Sequence, residues 1–179
     1  VAKESGALFC GGSILRFMEG LEDMHKFILE NGEVVGGDIA APINMVNDHG
    51  GFFFYSQHLI EMMLTAFGED IKSVKAYCPD ETKNRLTIIA NYGDYDVTGH
   101  YSDCYDYACT LYSKKGFKQA KAIVGEYDFL KHSADLLDEF VKMVNTKTMP
   151  LSFERQILPV KILNAIYDSY KTGKEVEIK

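Results

Sequence analysis

Between Ile71 and Val124 five β-rich segments follow one another: Ser73 to Tyr77, Arg85 to Asn91, Tyr95 to Tyr101, Tyr105 to Tyr112 and Phe117 to Val124. Short turns such as Tyr92-Gly93-Asp94 separate them. Consecutive strands with short connections imply an antiparallel meander, because parallel neighbours need a long crossover. Such a sheet buries one face and is free to turn the other to water or to a second subunit.

The sequence on either side of this block reads as the helical cover. Ala7-Leu8-Phe9-Cys10 is a short apolar run before Gly11-Gly12, the pattern of a buried strand. Phe17, Leu21, Met24 and Ile28 then recur at helical spacing, with Asn31-Gly32 as the stop. Val34 to Ile43 reads as a strand, and a loop from Asn44 to Gly51 leads into a helix from Tyr55 to Phe67. Beyond the meander, Leu136, Leu137, Phe140 and Val144 make a helical stripe. A second helix spans Phe153 to Lys171, with a bend expected at Pro159 and a stop at Gly173. Val176-Glu177-Ile178 closes the chain as a strand. The fold class expected is α+β: an open, mainly antiparallel sheet with helices packed on one face.

Charge and composition narrow the function. A net charge of -7 without a Lys/Arg stripe would repel a phosphate backbone, so nucleic acid is not an expected partner. No apolar run approaches the roughly 20 residues of a membrane span, and the first residues lack the apolar core of a signal peptide, so no membrane is expected. Four irregularly spaced cysteines do not form a disulfide framework, which fits a reducing, cytoplasmic setting. No G-x-G-x-x-G follows a strand and no Walker-type loop occurs, so no cofactor is expected to bind this chain alone. No metal site is expected either: Cys109 on a strand would point away from His100 and Cys104, and Glu61 on a helix has no evident third partner.

Within the helix from Tyr55 to Phe67, Leu59, Ile60, Met63 and Phe67 form a core stripe, while Tyr55, His58 and Met62 line the other side. An imidazole there can exchange a proton with a substrate hydroxyl; the alternative is a hydrogen-bonded structural histidine. Asn44, Asn47, Asp48 and His49 could bind a polar substrate, or could simply build the turn. Arg16 could reach a ligand, or could pair with a nearby carboxylate. Tyr92, Tyr95, Tyr101, Tyr105, Tyr107 and Tyr112 could form a subunit interface, pack the sheet or stack on a sugar. Finally, Val1 to Gly6 reads as the last turn of a helix closed by glycine, which predicts a missing upstream segment; a processed start is the alternative.

Several of these stretches, in this order, resemble the Gfo/Idh/MocA oxidoreductases. Ala2-Lys3-Glu4-Ser5-Gly6-Ala7-Leu8-Phe9 leading to Arg16-Phe17 is similar to that family's last dinucleotide-domain strand and its crossover. Gly50-Gly51, the aromatic run and His58-Leu59-Ile60-Glu61, followed by Phe67-Gly68-Glu69-Asp70-Ile71-Lys72-Ser73-Val74, resemble its substrate-domain signature. Phe153-Glu154-Arg155 and Ile162 to Val176 resemble its closing helix and strand.

The resemblance implies that residues 1–15 are the tail of an absent N-terminal Rossmann domain, and that residues 16–179 form the C-terminal substrate-binding and oligomerisation domain. NAD or NADP would be bound mainly by the absent domain, which would also hold the family's Lys-Pro motif. His58 matches the active-site histidine, with Tyr55 beside it; Arg16, Asn47 and His49 are the candidate substrate-binding residues by their positions in the sequence. The function implied is the substrate-binding and dimerising half of an oxidoreductase acting on a hydroxyl-bearing, sugar-like small molecule, joined to a second copy through the sheet face. One departure stands out. Where many members carry an acid four residues before the histidine, this chain has Phe54. That leaves open a non-catalytic ligand-binding or dimerisation module derived from the same family.

Overall fold

A computed structural model describes residues 2–123 and 126–179. The chain opens with a short helical turn, α1 (Ala2–Ser5), and a 3-10 turn (Ile14–Phe17), followed by α2 (Leu21–Asn31) and β1 (Val34–Pro42). Two helices, α3 (Phe52–Tyr55) and α4 (Gln57–Phe67), precede β2 (Ser73–Tyr77), β3 (Leu86–Asn91), β4 (Asp96–Ser102), β5 (Asp106–Ser113) and β6 (Gly116–Ile123). Helices α5 (Glu126–Thr146) and α6 (Phe153–Thr172) and the short β7 (Val176–Glu177) complete it.

The strands form one sheet in the order β6-β5-β1-β4-β3-β2-β7. This is the open, mainly antiparallel α+β architecture expected, with one difference of order. The five β-rich segments do not make an unbroken meander, because β1 lies between β4 and β5. It runs parallel to β4 (Ile39 opposite Gly99) and antiparallel to β5 (Ile39 opposite Cys109). The short link Asp103-Cys104-Tyr105 therefore straddles the end of β1. Local turn lengths carry no information about an insertion from 60 residues upstream, since strand order is decided by tertiary pairing.

The pleat sorts the strands into two faces. Ile39, Ala41, Ile88, Val97, Cys109 and Leu111 point into the core, where they meet α4, α2 and α6. Asp38, Thr98, Thr110, Thr87, His100 and Lys75 occupy the other face and remain half-buried or exposed. Helix α4 can lie this close to the sheet because two core-facing positions have no side chain. A Cβ on Gly37 would sit 2.2 Å from Phe67 Cζ, and one on Gly99 would sit 2.5 Å from Ile88 Cγ1 and 3.1 Å from Leu59 Cδ2. Leu59 through Leu64 are all buried, so Met62 joins the core instead of lining an outer side. The helix is enclosed by neighbours around its whole circumference, which a single-stripe reading does not anticipate.

Two more expectations change. Ala7 to Cys10 is not a strand: it is irregular, and Leu8 and Phe9 are exposed. A strand needs a hydrogen-bonding neighbour, and the described edges, β6 and β7, lie elsewhere. The stripe on α5 faces water, with Leu137, Phe140 and Val144 all exposed, because α5 packs chiefly on the 3-10 turn through its opposite side, where Met143 and His132 are buried. Pro159 lies inside a continuous α6, and Gly173 ends that helix in the left-handed conformation. Val124, the expected end of β6, and Val1 lie outside the described residues. No described helix is long and apolar enough to cross a membrane.

Candidate active site

The loop from Asn44 to Gly51 closes on itself through one side chain. Asn47 Nδ2 donates to the Asn44 carbonyl (2.8 Å) and the Gly51 carbonyl (3.0 Å), and its Oδ1 accepts from the His49 and Gly51 amides (2.7 and 3.2 Å). That engages both donors of the amide side chain in shaping the turn. Gly50 and Gly51 follow with φ of +115° and +60°, a backbone that only glycine adopts without strain. The chain then turns into α3, where Phe52 packs on Tyr167 and Tyr170 of α6.

Ser56 joins α3 to α4, and its carbonyl accepts the hydroxyl of buried Tyr101 at 2.6 Å. That bond ties the start of α4 to β4, two residues before His58. The imidazole is half-buried, with Nδ1 2.6 Å from Ser13 Oγ. Two tyrosine rings meet it edge-on: Tyr55 at 5.0 Å and 78°, and Tyr107 of β5 at 6.0 Å and 87°. Burial pulls the His58 pKa down to about 4, so the ring is neutral at neutral pH. Tyr107 is pushed up by burial, then by the nearby Tyr55 hydroxyl, to which it is hydrogen-bonded. Tyr105, in the link over β1, is exposed and stands 6.5 Å from Tyr55. The result is a neutral imidazole bordered by phenols, able to exchange hydrogen bonds with a hydroxyl- or carbonyl-bearing molecule.

The other sequence candidates lie at differing distances from this cluster. His49 is exposed but joined to it through a row of rings: His49 meets Phe54 at 5.1 Å, and Phe54 meets Tyr55 at 5.7 Å. Arg16 is committed elsewhere. It is 8% exposed, sits 4.3 Å above the Phe17 ring and makes a two-bond pair with Glu139 of α5. Glu61 is buried too, and accepts from Arg155 Nη2 at 2.9 Å, while Arg155 Nε also meets Glu69 at 3.4 Å. Arg16, His25, Glu69, Glu139 and Arg155 line a cavity of about 240 Å³. Among the described residues no group of three His, Cys, Asp or Glu could hold a metal ion.

The tyrosines divide between the faces. Tyr92, Tyr101 and Tyr107 are buried on the helix side, and Tyr92 and Tyr95 stack at 5.2 Å with nearly parallel rings. Tyr112 lies exposed on the open face beside Asp38, which accepts its hydroxyl and raises its pKa. Sheet packing therefore engages Tyr92, Tyr101 and Tyr107, while Tyr105 and Tyr112 stay exposed. Ser13 was not singled out by the sequence, and Tyr107 was singled out only as one of the tyrosine series and not as a neighbour of His58. Ser13 is 45 positions from His58, and nothing local marks the contact. Clefts of about 560 and 690 Å³ flank β7, lined by residues such as Lys161, Asp168 and Glu175 or Asp70 and Lys72, but His58 lines neither.

No family model and no curated protein sequence matches the chain. Solved structures do. A protein assigned as a myo-inositol dehydrogenase from Sinorhizobium meliloti superposes with a TM-score of 0.77 at 16% identity, over 99% of this chain and 68% of its own. GenD2 from gentamicin A biosynthesis, in complex with NAD, gives 0.76 at 13% identity, over 99% and 66%. An aldose-aldose oxidoreductase from Caulobacter crescentus, complexed with glycerol, gives 0.74 at 12% identity, over 98% and 65%. The chain thus spans about two thirds of the length of each. Its fold is the one found over that portion of these three oxidoreductases.

Proposed function

We propose that the chain is the substrate-side domain of a Gfo/Idh/MocA-family oxidoreductase, and that the whole protein moves a hydride between NAD or NADP and a hydroxyl-bearing, sugar-like molecule. The observation that carries this reading is His58: a neutral imidazole fixed at Nδ1 by Ser13, at the start of a buried helix and edged by Tyr55 and Tyr107. It lies within a fold shared with oxidoreductases of inositol and aldoses.

Among the described residues, the Gly11-Gly12 pair does not offer a dinucleotide cradle. Gly11-Gly12 lead into a four-residue 3-10 turn, and the space at the Gly12 Cβ position is held by Glu61 Oε1 at 2.7 Å, a carboxylate that would repel a phosphate. On this reading the nicotinamide belongs to a separate domain upstream of residue 16, with residues 1–15 as its tail and residues 16–179 as the substrate domain. The open sheet face, polar and unpaired by any described helix, would join a second copy. The four free cysteines suit a reducing compartment such as the cytoplasm.

The test is turnover by the full encoded protein with NAD and NADP against a panel of polyols and aldoses, followed by nicotinamide absorbance. We expect activity with at least one, and its loss in His58→Ala. A second reading, a ligand-binding or dimerisation module without turnover, is favoured by Phe54 at the family's usual acid position. It would prevail if the full protein oxidised none of the panel while His58→Ala kept ligand affinity.

A further inference from the structure

Ser13 Oγ lies 2.6 Å from His58 Nδ1 and also accepts the Leu15 amide at 3.1 Å. Ser13 is only 2% exposed, so its hydroxyl proton must find its acceptor within the protein. The Leu15 N–H takes one lone pair of the oxygen. If Nδ1 carried the imidazole proton, a second N–H would point at the same oxygen, and the buried O–H would have no described acceptor. With Nδ1 unprotonated both groups are satisfied. We propose that Ser13 is a positioning residue that donates its hydroxyl proton to His58 Nδ1 and so holds the ring as the Nε2–H tautomer, making His58 a hydrogen-bond donor to a ligand and not a base.

The serine is held from behind. Gly12 takes φ +115°, and the Cβ it lacks would collide with Glu61 Oε1 at 2.7 Å. Glu61 is in turn fixed by Arg155 at 2.9 Å, with both side chains buried. Arg155, Glu61 and the bare backbone of Gly12 thus place the Ser13 oxygen against the imidazole. His58 itself has no carboxylate among its described contacts: its ring neighbours are Tyr55 and Tyr107, and its hydrogen-bond partner is a hydroxyl. A serine oxygen is too weak a base to draw a proton onto Nδ1 as a carboxylate does.

The consequence for chemistry rests on the function proposed above; the tautomer does not. A donor at Nε2 recognises a carbonyl oxygen, or the lone pair of a hydroxyl oxygen, and orients it. The proton that such an oxygen gains on reduction or loses on oxidation must then pass to or from another group.

The tautomer can be read on the 179-residue chain without ligand or cofactor, from long-range proton–nitrogen correlation spectra of ¹⁵N-labelled protein near neutral pH. His58 is assigned by the signals lost in His58→Gln. We expect a pyridine-type Nδ1 and a pyrrole-type Nε2 in the unsubstituted protein. Ser13→Ala should lose that single-tautomer pattern, and Ser13→Thr should keep it. A protonated Nδ1, or an averaged pattern, in the unsubstituted chain overturns the proposal, as does an unchanged pattern in Ser13→Ala. Because Ser13 also caps the 3-10 turn, the unsubstituted spectrum decides the matter even if Ser13→Ala fails to fold. Absence of turnover by the full protein would sink the enzymatic reading and leave the tautomer standing.

Discussion

Helices α4 and α5 both rest on the 3-10 turn at Ile14–Phe17, yet they treat their apolar residues in opposite ways. In α4 eight of eleven residues are buried, and the sheet beneath has shed side chains at Gly37 and Gly99 to let it approach. In α5, nearly twice as long, Leu130, Leu137, Phe140, Val141 and Val144 face water, and the helix is attached mainly by the Arg16–Glu139 pair and a few buried groups such as His132 and Met143. The position of α4, and with it His58, is therefore decided within this domain. The position of α5 is only partly decided by it.

The comparison can be broken most severely at Glu61. Removing the charge in Glu61→Gln leaves buried Arg155 with the exposed Glu69 as its one carboxylate partner among the described residues, and should cost about 3–5 kcal/mol in urea unfolding. A cost within the error of the fit would mean that α4 is not anchored as described. The analogous change in α5, Glu139→Gln, should cost less, because Glu139 is partly exposed.

Next comes the fit of α4 to the sheet. Gly99→Ala forces Ile88 and Leu59 aside and should cost about 1–3 kcal/mol, with the unfolding m-value unchanged. Chemical denaturation reads both quantities at once.

A third test uses pH. The folded-state pKa of His58 is lowered to about 4, so between there and its ordinary value of about 6.5 the unfolded chain binds a proton that the folded chain resists. The stability owed to the neutral ring is complete above that window and falls as the pH drops through it. Allowing for solvent screening of a half-buried ring, the loss should be about 1–2 kcal/mol. His58→Gln should flatten this part of the stability curve; a curve unchanged by the substitution would show that the ring titrates normally.

The smallest effect belongs to α5. Leu137→Lys and Val141→Lys should each change stability by less than about 0.5 kcal/mol, as exposed substitutions do. A loss above about 2 kcal/mol in either variant would show that the stripe is covered in solution, and the contrast between the two helices would vanish.

These same regions show how far sequence carries. The strands were legible one by one, because alternation and turn residues are local. Their order was not, because β1 enters between β4 and β5 from a distance. His58 and Tyr55 could be picked out by their helical spacing, and they do stand together. The serine that fixes the imidazole could not, since Ser13 reaches it across 45 residues. Asn47 and Arg16 carried two readings each from sequence; the amide of the one bonds within its own loop, and the two Nη atoms of the other bond a carboxylate 123 positions away. The amphipathic pattern of α5 was correctly seen as a stripe. What the pattern does not encode is whether anything in the same domain lies opposite it.

The place of β1 in the sheet also bears on how the chain reaches its native state. Strands β4 and β5 are separated by only Asp103-Cys104-Tyr105 and would close quickly on each other as a hairpin during folding. That hairpin is non-native, since neither strand pairs with the other in the finished sheet. It must open, or be forestalled, for β1 to dock between them, so the early and local event competes with the late and distant one. Folding should therefore be limited by the arrival of β1, and strengthening the β4–β5 turn should slow it.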